Sequence, residues 1–137
     1  MKKISQADLT DAFQVLKDYI FYVSGWRTSN LDRHFDNAVH SGIYKQIEIS
    51  SVMTHHDHGR RITTTRLNNP IIVLVNPSYP GGSNYEYIVL DGQHRLYTLR
   101  DAGKKKMNAF VLKMPFRRVP AGIRHGHKVF TTYLDPI

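Results

Sequence analysis

Two short apolar runs separated by a turn-rich segment constrain the fold of this chain more than any other feature. The run Ile71–Val75 follows Pro70 and is apolar without a break, which is typical of a strand buried on both faces. A second run covers residues 85–90, and the residues between the two, 76–84, include two prolines and two glycines. Because prolines and glycines in such density mark a long turn, the sequence predicts that the two runs pair as a hairpin inside the molecule.

Helices are predicted before this hairpin. Residues 5–24 repeat apolar side chains at intervals of four and three, the spacing of one helical face; they are Leu9, Phe13, Leu16, Ile20 and Val23. Ser5 and Asp8 have the spacing of a capping box at its start. A shorter second helix is predicted after Asn30, ending before Gly42. Its inward residues are expected to be Leu31, Phe35 and Val39.

The rest of the chain alternates between strand and helix signals. Ile47 and Ile49 alternate with polar residues and predict a short strand, whereas residues 53–69 have no period and are expected to form a loop. A helix over 94–102 and a strand over 107–112 follow. We therefore predict the α/β (α+β) class, with a small mixed sheet of about four or five strands flanked by helices. The expected organisation is a helical segment over 1–43, a core over 44–114 and a basic extension over 115–137.

Composition narrows the function. The 137 residues fit one domain, and the absence of cysteine excludes disulfides, zinc–thiolate sites, iron–sulfur clusters and a cysteine nucleophile. No apolar stretch is long enough to span a membrane, and polar residues follow the basic N-terminus where an export signal would be apolar. We therefore expect a cytoplasmic protein without a membrane partner. The net charge of +8 favours nucleic acid or nucleotides as partners, although such charge can also serve solubility alone.

The segment Asp91-Gly92-Gln93-His94-Arg95 carries the clearest chemical signal. It joins a predicted strand to a predicted helix, so backbone N–H groups and the helix dipole would face an anion there. Gly92 permits a close backbone approach, and Arg95 has the fork geometry that binds two phosphate oxygens. His94 can donate a proton near neutral pH, and Asp91 can ligate Mg²⁺ or act as a general base.

A simpler interpretation of the same residues stays open. Asp91 is a common residue type at a helix N-cap, where it accepts backbone hydrogen bonds without any ligand. His94 and Arg95 would then be ordinary solvated residues of the first helical turn.

The pattern resembles the signature of the ParB/sulfiredoxin superfamily. Asp91–Arg95 match the Asp-Gly-Gln-His-Arg form of that signature, and 69–73 are similar to an Asn-Pro-Ile-x-Val strand opening of the family. The resemblance covers about residues 44–114. It implies a small mixed sheet flanked by helices, with a nucleotide or phosphate at the turn formed by Asp91–Arg95. In the superfamily this turn contacts phosphates of ATP or CTP, or serves kinase, nuclease or sulfinic-acid reductase chemistry.

Departures from the family pattern exclude some of these activities. Sulfiredoxin has cysteine where this chain has Gln93, so sulfinic-acid reduction is excluded. Partition-type ParB proteins carry Glu-Arg-Arg in place of Gln93-His94-Arg95. The resemblance therefore favours nuclease-type or NTPase-type chemistry on or with DNA, with Asp91, His94 and Arg95 as catalytic residues and Mg²⁺ and ATP or CTP as possible cofactors. A phosphate would be held by Gly92, Gln93 and Arg95.

Other polar clusters give further candidates. Arg60 and Arg61 precede the first apolar run and could close over a nucleotide or DNA backbone. The neighbouring histidines, His55, His56 and His58, lack the spacing of a recognised metal motif, as do His125 and His127, so no metal site is assigned to them. Basic side chains that could contact DNA phosphates without reading sequence follow the predicted helix and lie near the end of the chain: Lys104, Lys105, Lys106, Arg117 and Arg118.

Two further functional classes remain as alternatives. One is a non-catalytic DNA-binding or regulatory module in which the turn binds a nucleotide as a switch. The other is a small-molecule kinase, which would use the same turn without needing the positive charge. Whether the protein is an enzyme is open at this point, and the apolar face of the first helix leaves a homodimer possible.

Overall fold

The computed structural model describes residues 3–24, 31–54, 65–119, 122–124, 127–129 and 133–136, with side chains described within 3–19, 31–54 and 67–116. The helices in this part of the chain are α1 (Gln6–Ser24), α2 (Leu31–His40) and α3 (Gln93–Asp101). The strands of the main sheet are β1 (Ile43–Glu48), β2 (Val52–Met53), β3 (Ile71–Val75), β4 (Tyr87–Asp91) and β5 (Lys106–Leu112). Four short strands follow: β6 (Phe116–Val119), β7 (Gly122–Arg124), β8 (His127–Val129) and β9 (Tyr133–Pro136).

The main sheet is mixed and has five strands in the order β1-β5-β3-β4-β2. β1 pairs antiparallel with β5, and β3 pairs antiparallel with β4; the pairs β3–β5 and β2–β4 are parallel. The predicted α+β class, the mixed sheet and the central hairpin are therefore confirmed. Two small antiparallel ladders, β6–β9 and β7–β8, lie outside this sheet.

Both faces of the sheet are covered, which explains the unbroken apolar run in β3. Ile72 and Leu74 point to one face and pack in one cluster with residues of the helices α1 and α2, among them Leu16 and Phe35. Ile71 and Val73 alternate to the other face and pack with Leu96 of α3. Removing a fully buried side chain of this kind from water is worth about 1.5–3 kcal/mol, so both helical layers contribute to holding the sheet.

The path between β1 and β2 requires a strongly coiled sheet. These strands occupy opposite edges of the five-stranded order, which in a flat sheet would be about 19 Å apart. Only the 3₁₀ turn Ile49–Ser51 joins them, and four residue steps span at most about 14 Å. The edges must therefore curl toward each other. Apolar residues on the α3 side of the sheet, including Ile49 and Val52, pack into one cluster in the resulting concavity.

The 3₁₀ turn also corrects the predicted strand around Ile47 and Ile49. β1 begins at Ile43 and ends at Glu48. The backbone N–H of Ile49 still donates to the carbonyl of Lys105 (2.9 Å), the next pair of the β1–β5 register, but the chain turns into the 3₁₀ helix at this residue. The hydroxyl of Ser51 donates to the carbonyl of Glu48 (2.7 Å) and stabilises the turn. The alternating pattern correctly predicts that Ile47 and Ile49 are buried. It does not predict that the chain leaves the strand and turns at Ile49.

The N-terminal helices confirm the predicted pattern with a small rotation. Ser5 caps α1 by accepting a hydrogen bond from the N–H of Asp8 (3.1 Å). Ala12 and Leu16 are the fully buried residues of this helix, whereas Leu9 and Phe13 are partly buried; the predicted contacts of Ile20 and Val23 lie outside the described side chains. In α2 the buried set is Leu31, Phe35 and Ala38, with Val39 partly buried. Within the described residues, no helix combines the length and the apolar character needed to cross a membrane.

Candidate functional site

The motif residues lie where β4 ends and α3 begins. Asp91 is the last residue of β4 and pairs with Ile72 of β3, so the start of β3 lies beside the turn. Pro70 immediately precedes β3 and is fully buried. The hairpin register thus brings a backbone carbonyl that is distant in sequence next to the first turn of α3.

Gly92 forms the sharp turn between strand and helix. Its φ of +92° is in the left-handed region, which only glycine adopts without cost, and an added Cβ would collide with the side chain of Ile71. Gly92 is also the N-cap of α3, with no side-chain hydrogen bond to the helix start. The alternative that Asp91 is the N-cap is therefore wrong: Asp91 is the last residue of β4, and the cap is the next residue, Gly92. The helix N-terminus lacks the carboxylate cap that would compete with an anion.

Arg95 is buried, with 7% of its surface exposed. One guanidinium nitrogen, Nη1, donates to the carbonyl oxygen of Pro70 (2.9 Å), and Nη2 donates to Oδ2 of Asp91 (3.2 Å). The second contact is also an ion pair one helical turn apart. The guanidinium thus links the start of β3 to the end of β4 and holds the Asp91 carboxyl in place. Its predicted contact with a ligand phosphate stays a prediction.

Asp91 is the titratable group of the turn. Its side chain is 19% exposed, so the carboxyl is mostly buried but can be reached from solvent. The pKa of Asp91 is raised from 3.8 to about 6, chiefly by burial and also by the charges of Asp8 and Asp11 on α1, against the opposing effects of Arg95 and the Gly92 N–H. α1 packs across β4, which is why two carboxylates from the N-terminal helix act on this residue.

His94 and Gln93 occupy the first turn of α3 and are half-buried. The carbonyl of His94 accepts a hydrogen bond from the hydroxyl of Thr98 (2.8 Å). Both residues therefore stand beside Asp91 in the chain with partial access to solvent, which is what an acid–base pair or a phosphate contact at this turn requires.

The basic cluster predicted after the helix lies at the opposite end of α3. A helix of nine residues is about 13 Å long, and Lys104, Lys105 and Lys106 beyond it are all exposed. Two of them line a cavity of about 360 Å³ that α3 shares with the 3₁₀ turn of the sheet. The structure therefore brings Asp91, Gly92, Gln93, His94 and Arg95 together and places the lysines elsewhere.

The other predicted residues are only partly described. Arg60, Arg61 and the histidines of 55–58 lie outside the described residues. Arg117 and Arg118 are on β6, paired with Asp135 and Leu134 of β9, but their side chains are not described. His125 also lies outside the described part, and His127 begins β8. Among the described residues, no three His, Asp or Glu side chains are grouped so that they could hold a metal ion by themselves.

Two features of this turn could not be inferred from the motif. The carbonyl of Pro70 is a partner of Arg95 only because the hairpin register brings it there. Asp8 and Asp11 act on Asp91 through the packing of α1 on β4. Their only sequence signal is their position, three residues apart on a predicted helix whose apolar face must cover the sheet.

Comparison with known proteins assigns this chain to no family. No protein-family model matches the chain, and no curated protein sequence matches it significantly. Among solved structures, the chain is similar to the C-terminally truncated chromosome-partitioning protein ParB from Caulobacter crescentus, crystallised in complex with CTP-gamma-S. The identity is 20% and the TM-score 0.37, with 54% of this chain and 46% of that chain covered. The chain thus spans less than half of that structure, and so slight a likeness assigns neither family nor function.

Proposed function

We propose that the turn Asp91–Arg95 binds the phosphates of a nucleotide or of a DNA strand and that Asp91 takes part in phosphoryl chemistry there. The carboxyl of Asp91 carries this proposal, because it can be reached from solvent and has a pKa raised to about 6 by burial and neighbouring carboxylates. A group that must accept and release a proton works best with a pKa near the working pH. Strongly perturbed carboxyls of this kind are enriched at functional sites.

The proposed reaction is hydrolysis of a phosphoanhydride or phosphodiester bond. The oxygen of a water molecule forms the new bond to phosphorus while Asp91 accepts the proton that the water loses. His94 donates a proton to the oxygen whose bond to phosphorus breaks. Arg95 is a positioning residue in this scheme, since its bonds to Pro70 and Asp91 fix where the carboxyl lies.

The charge around the turn makes a divalent cation a suitable companion to the phosphate. Among the described residues, Asp8 and Asp11 act on Asp91 together with one cation, Arg95, so a bare phosphate would meet acidic surroundings there. Mg²⁺ binds proteins through one or two carboxylates plus the phosphates of its ligand. As an alternative to its role as the base, Asp91 would be one such ligand, and the ion would neutralise phosphate charge when bound.

Calorimetric titration with ATP and CTP, in Mg²⁺ and in EDTA, tests this proposal. The measured quantity is whether Asp91→Asn weakens or strengthens nucleotide binding in each condition. With Mg²⁺, Asp91→Asn is expected to weaken binding at least about tenfold, because a metal ligand is lost. With EDTA the same substitution should leave binding equal or stronger, because a repelling carboxylate is removed. Asp18→Asn, which removes an exposed carboxylate on α1, is the matched control and should change neither titration.

Two results would contradict the proposal. Binding that Asp91→Asn strengthens equally in both conditions would show that Asp91 does not meet a metal–phosphate ligand. Absence of binding by wild-type protein to ATP, CTP and DNA would remove the site altogether. Release of phosphate and cleavage of DNA should be abolished in Asp91→Asn if the proposed chemistry is correct.

A non-catalytic DNA-binding module is the second candidate, and the exposed lysines after α3 favour it. It predicts DNA binding that falls steeply with salt, without hydrolysis of nucleotide or DNA. A small-molecule kinase would instead bind nucleotide without any affinity for DNA.

A further inference from the structure

We propose that the pocket at the C-terminal end of α3 binds a nucleoside phosphate, with the base against Tyr85 and the phosphate on Lys104 and Lys105. This pocket is separate from the Asp91 turn and can be occupied whether or not that turn performs chemistry. The inference therefore goes beyond the proposed function.

The pocket has the size and the apolar floor of a small-molecule site. Its volume is about 360 Å³, within the range of about 300–1,000 Å³ that is usual for such sites. Ile49, Val52 and Leu96 are buried and form its floor. They belong to the core cluster in the concavity of the sheet, so the floor is rigid and preformed.

One wall carries an aromatic ring and the rim carries cations. Tyr85 lines the pocket while 44% of its surface remains exposed, so the side chain is accessible to a ligand. Lys104 and Lys105 line the rim together with Arg100. The acidic residue of the lining, Glu48, is paired with Lys106 (3.8 Å), which itself lies outside the pocket.

Backbone hydrogen bonds fix where Lys104 and Lys105 lie in the chain after α3. α3 ends in a turn in which the N–H of Lys104 donates to the carbonyl of Leu99 (3.0 Å), with Gly103 in the left-handed conformation at φ +81°. The carbonyl of Lys105 then accepts from the N–H of Ile49 (2.9 Å) on the facing side of the pocket. Backbone hydrogen bonds on both sides thus hold the two residues at the rim of the pocket.

This combination selects a flat, anionic ligand. An aromatic wall above an apolar floor favours a ring that can stack, since every nucleobase offers a π-face. The adjacent cations favour a phosphate, as lysine does in many phosphate sites. A nucleoside phosphate has both parts, and it can come either from a free nucleotide or from the end of a single strand.

Saturation-transfer NMR and calorimetric titration with adenosine 5′-monophosphate, adenosine and inorganic phosphate test the inference. Adenosine 5′-monophosphate should bind at least about tenfold more tightly than either part alone. A 5′-phosphorylated oligonucleotide of six adenosines is the second arm, and tighter binding of this strand identifies a strand end as the natural source. Binding only of the free nucleotide identifies the mononucleotide; either result supports the inference.

Matched variants locate the binding. Tyr85→Leu should weaken it at least about fivefold, the lower end of the effect of losing one stacked base, whereas Tyr79→Leu, also 44% exposed but outside the pocket, should not. The double variant Lys104→Ala/Lys105→Ala should weaken it more than Lys113→Ala, which removes an exposed lysine elsewhere. Thermal unfolding of each variant confirms that it is folded.

Two outcomes would overturn the inference. One is no binding of adenosine 5′-monophosphate or the oligonucleotide by the wild-type protein. The other is binding that Asp91→Asn changes but the Tyr85 and lysine variants leave intact, which would place the ligand at the turn. Binding lost in the pocket variants and unchanged in Asp91→Asn supports the pocket even if the proposed chemistry at the turn fails.

Discussion

The two ends of α3 share one backbone feature but differ in their surroundings. Each end has a glycine in the left-handed conformation, Gly92 at the start and Gly103 after the last turn. At the start, a Cβ would collide with Ile71, whereas at the end it would meet nothing within 4 Å. The start is packed, acidic and held by a buried arginine; the end is open and presents exposed lysines. The start is therefore built to fix one carboxyl in place, whereas the end can bind an anionic partner.

Substitution of the two arginines of α3 should give the largest difference in the free energy of unfolding. Arg95→Ala removes the partner of Asp91 and of the Pro70 carbonyl, and breaking a buried pair of this kind costs about 3–5 kcal/mol. Arg100→Ala removes a half-exposed guanidinium that pairs with Asp101 and stacks on Tyr97, worth about 1 kcal/mol or less. Urea unfolding of both variants measures the difference. Equal losses would mean that the start of α3 is no more rigidly built than its end.

Substitution of the two glycines, Gly92 and Gly103, should give the second largest difference in stability. Gly92→Ala adds a left-handed alanine, about 1–2 kcal/mol, and a collision with Ile71, which adds about 1–3 kcal/mol. Gly103→Ala has only the first of these costs, because its surroundings are open. The same unfolding experiment should therefore rank Gly92→Ala as the more destabilised. The reverse order would show that the start of the helix can relax around the extra methyl group.

Asp91 should make stability depend on pH in a direction unlike that of a typical surface carboxylate. Its folded pKa of about 6 lies above the ordinary 3.8, so the folded state binds the proton more tightly than the unfolded state. The contribution of Asp91 to stability is therefore greatest near pH 4, falls as the pH rises to about 6, and is constant above that. The Tm of wild type minus that of Asp91→Asn should fall over this window.

The partner charges on α1 provide the control for that experiment. Asp8→Asn removes a charge that raises the pKa of Asp91, so the window should move to lower pH. A difference in Tm that rises with pH instead, or a window that Asp8→Asn leaves in place, would contradict the electrostatic description of the turn.

The smallest effect on stability is expected at the open end. Lys104→Ala/Lys105→Ala should change the free energy of unfolding by about 0.5 kcal/mol or less, since both side chains are exposed. For binding of single-stranded DNA, measured by fluorescence anisotropy, the slope of log K against log salt concentration should nevertheless become shallower by about 1.4, because about two phosphate contacts disappear. The salt dependence of Lys113→Ala should match wild type. A stability loss as large as that of Arg95→Ala would erase the contrast between the two ends.

Local patterns predicted the elements better than their arrangement. The apolar runs around β3 and β4 predicted a buried hairpin, because a strand covered on both faces needs apolar residues at every position. The break at Ile49–Ser51 was missed, since both of its flanks keep the burial pattern of a strand. The strand order that places β1 and β2 at opposite edges depends on contacts between distant segments, which no local pattern encodes.

The candidate site shows the same division. The Asp-Gly-Gln-His-Arg motif identified the turn, because a glycine between a strand and a helix has few conformations available. It did not predict that Arg95 points to the carbonyl of Pro70 or that Gly92 is the N-cap. The charges of Asp8 and Asp11 reach Asp91 only through tertiary packing, so the raised pKa could not be inferred from the motif.

The backbone amides of Gly92 and of the first residues of α3 offer the most direct test of where phosphate is bound. In a ¹H–¹⁵N NMR titration with CTP or ATP and Mg²⁺, the amides of Gly92 and of the residues that begin α3 should shift and saturate with one binding constant. The Asp91→Asn variant should require at least about tenfold more nucleotide for the same shift. Amides at the start of α3 that stay unchanged while the rest of the spectrum responds, or a spectrum that does not respond at all, would contradict the assignment of this turn as a phosphate site.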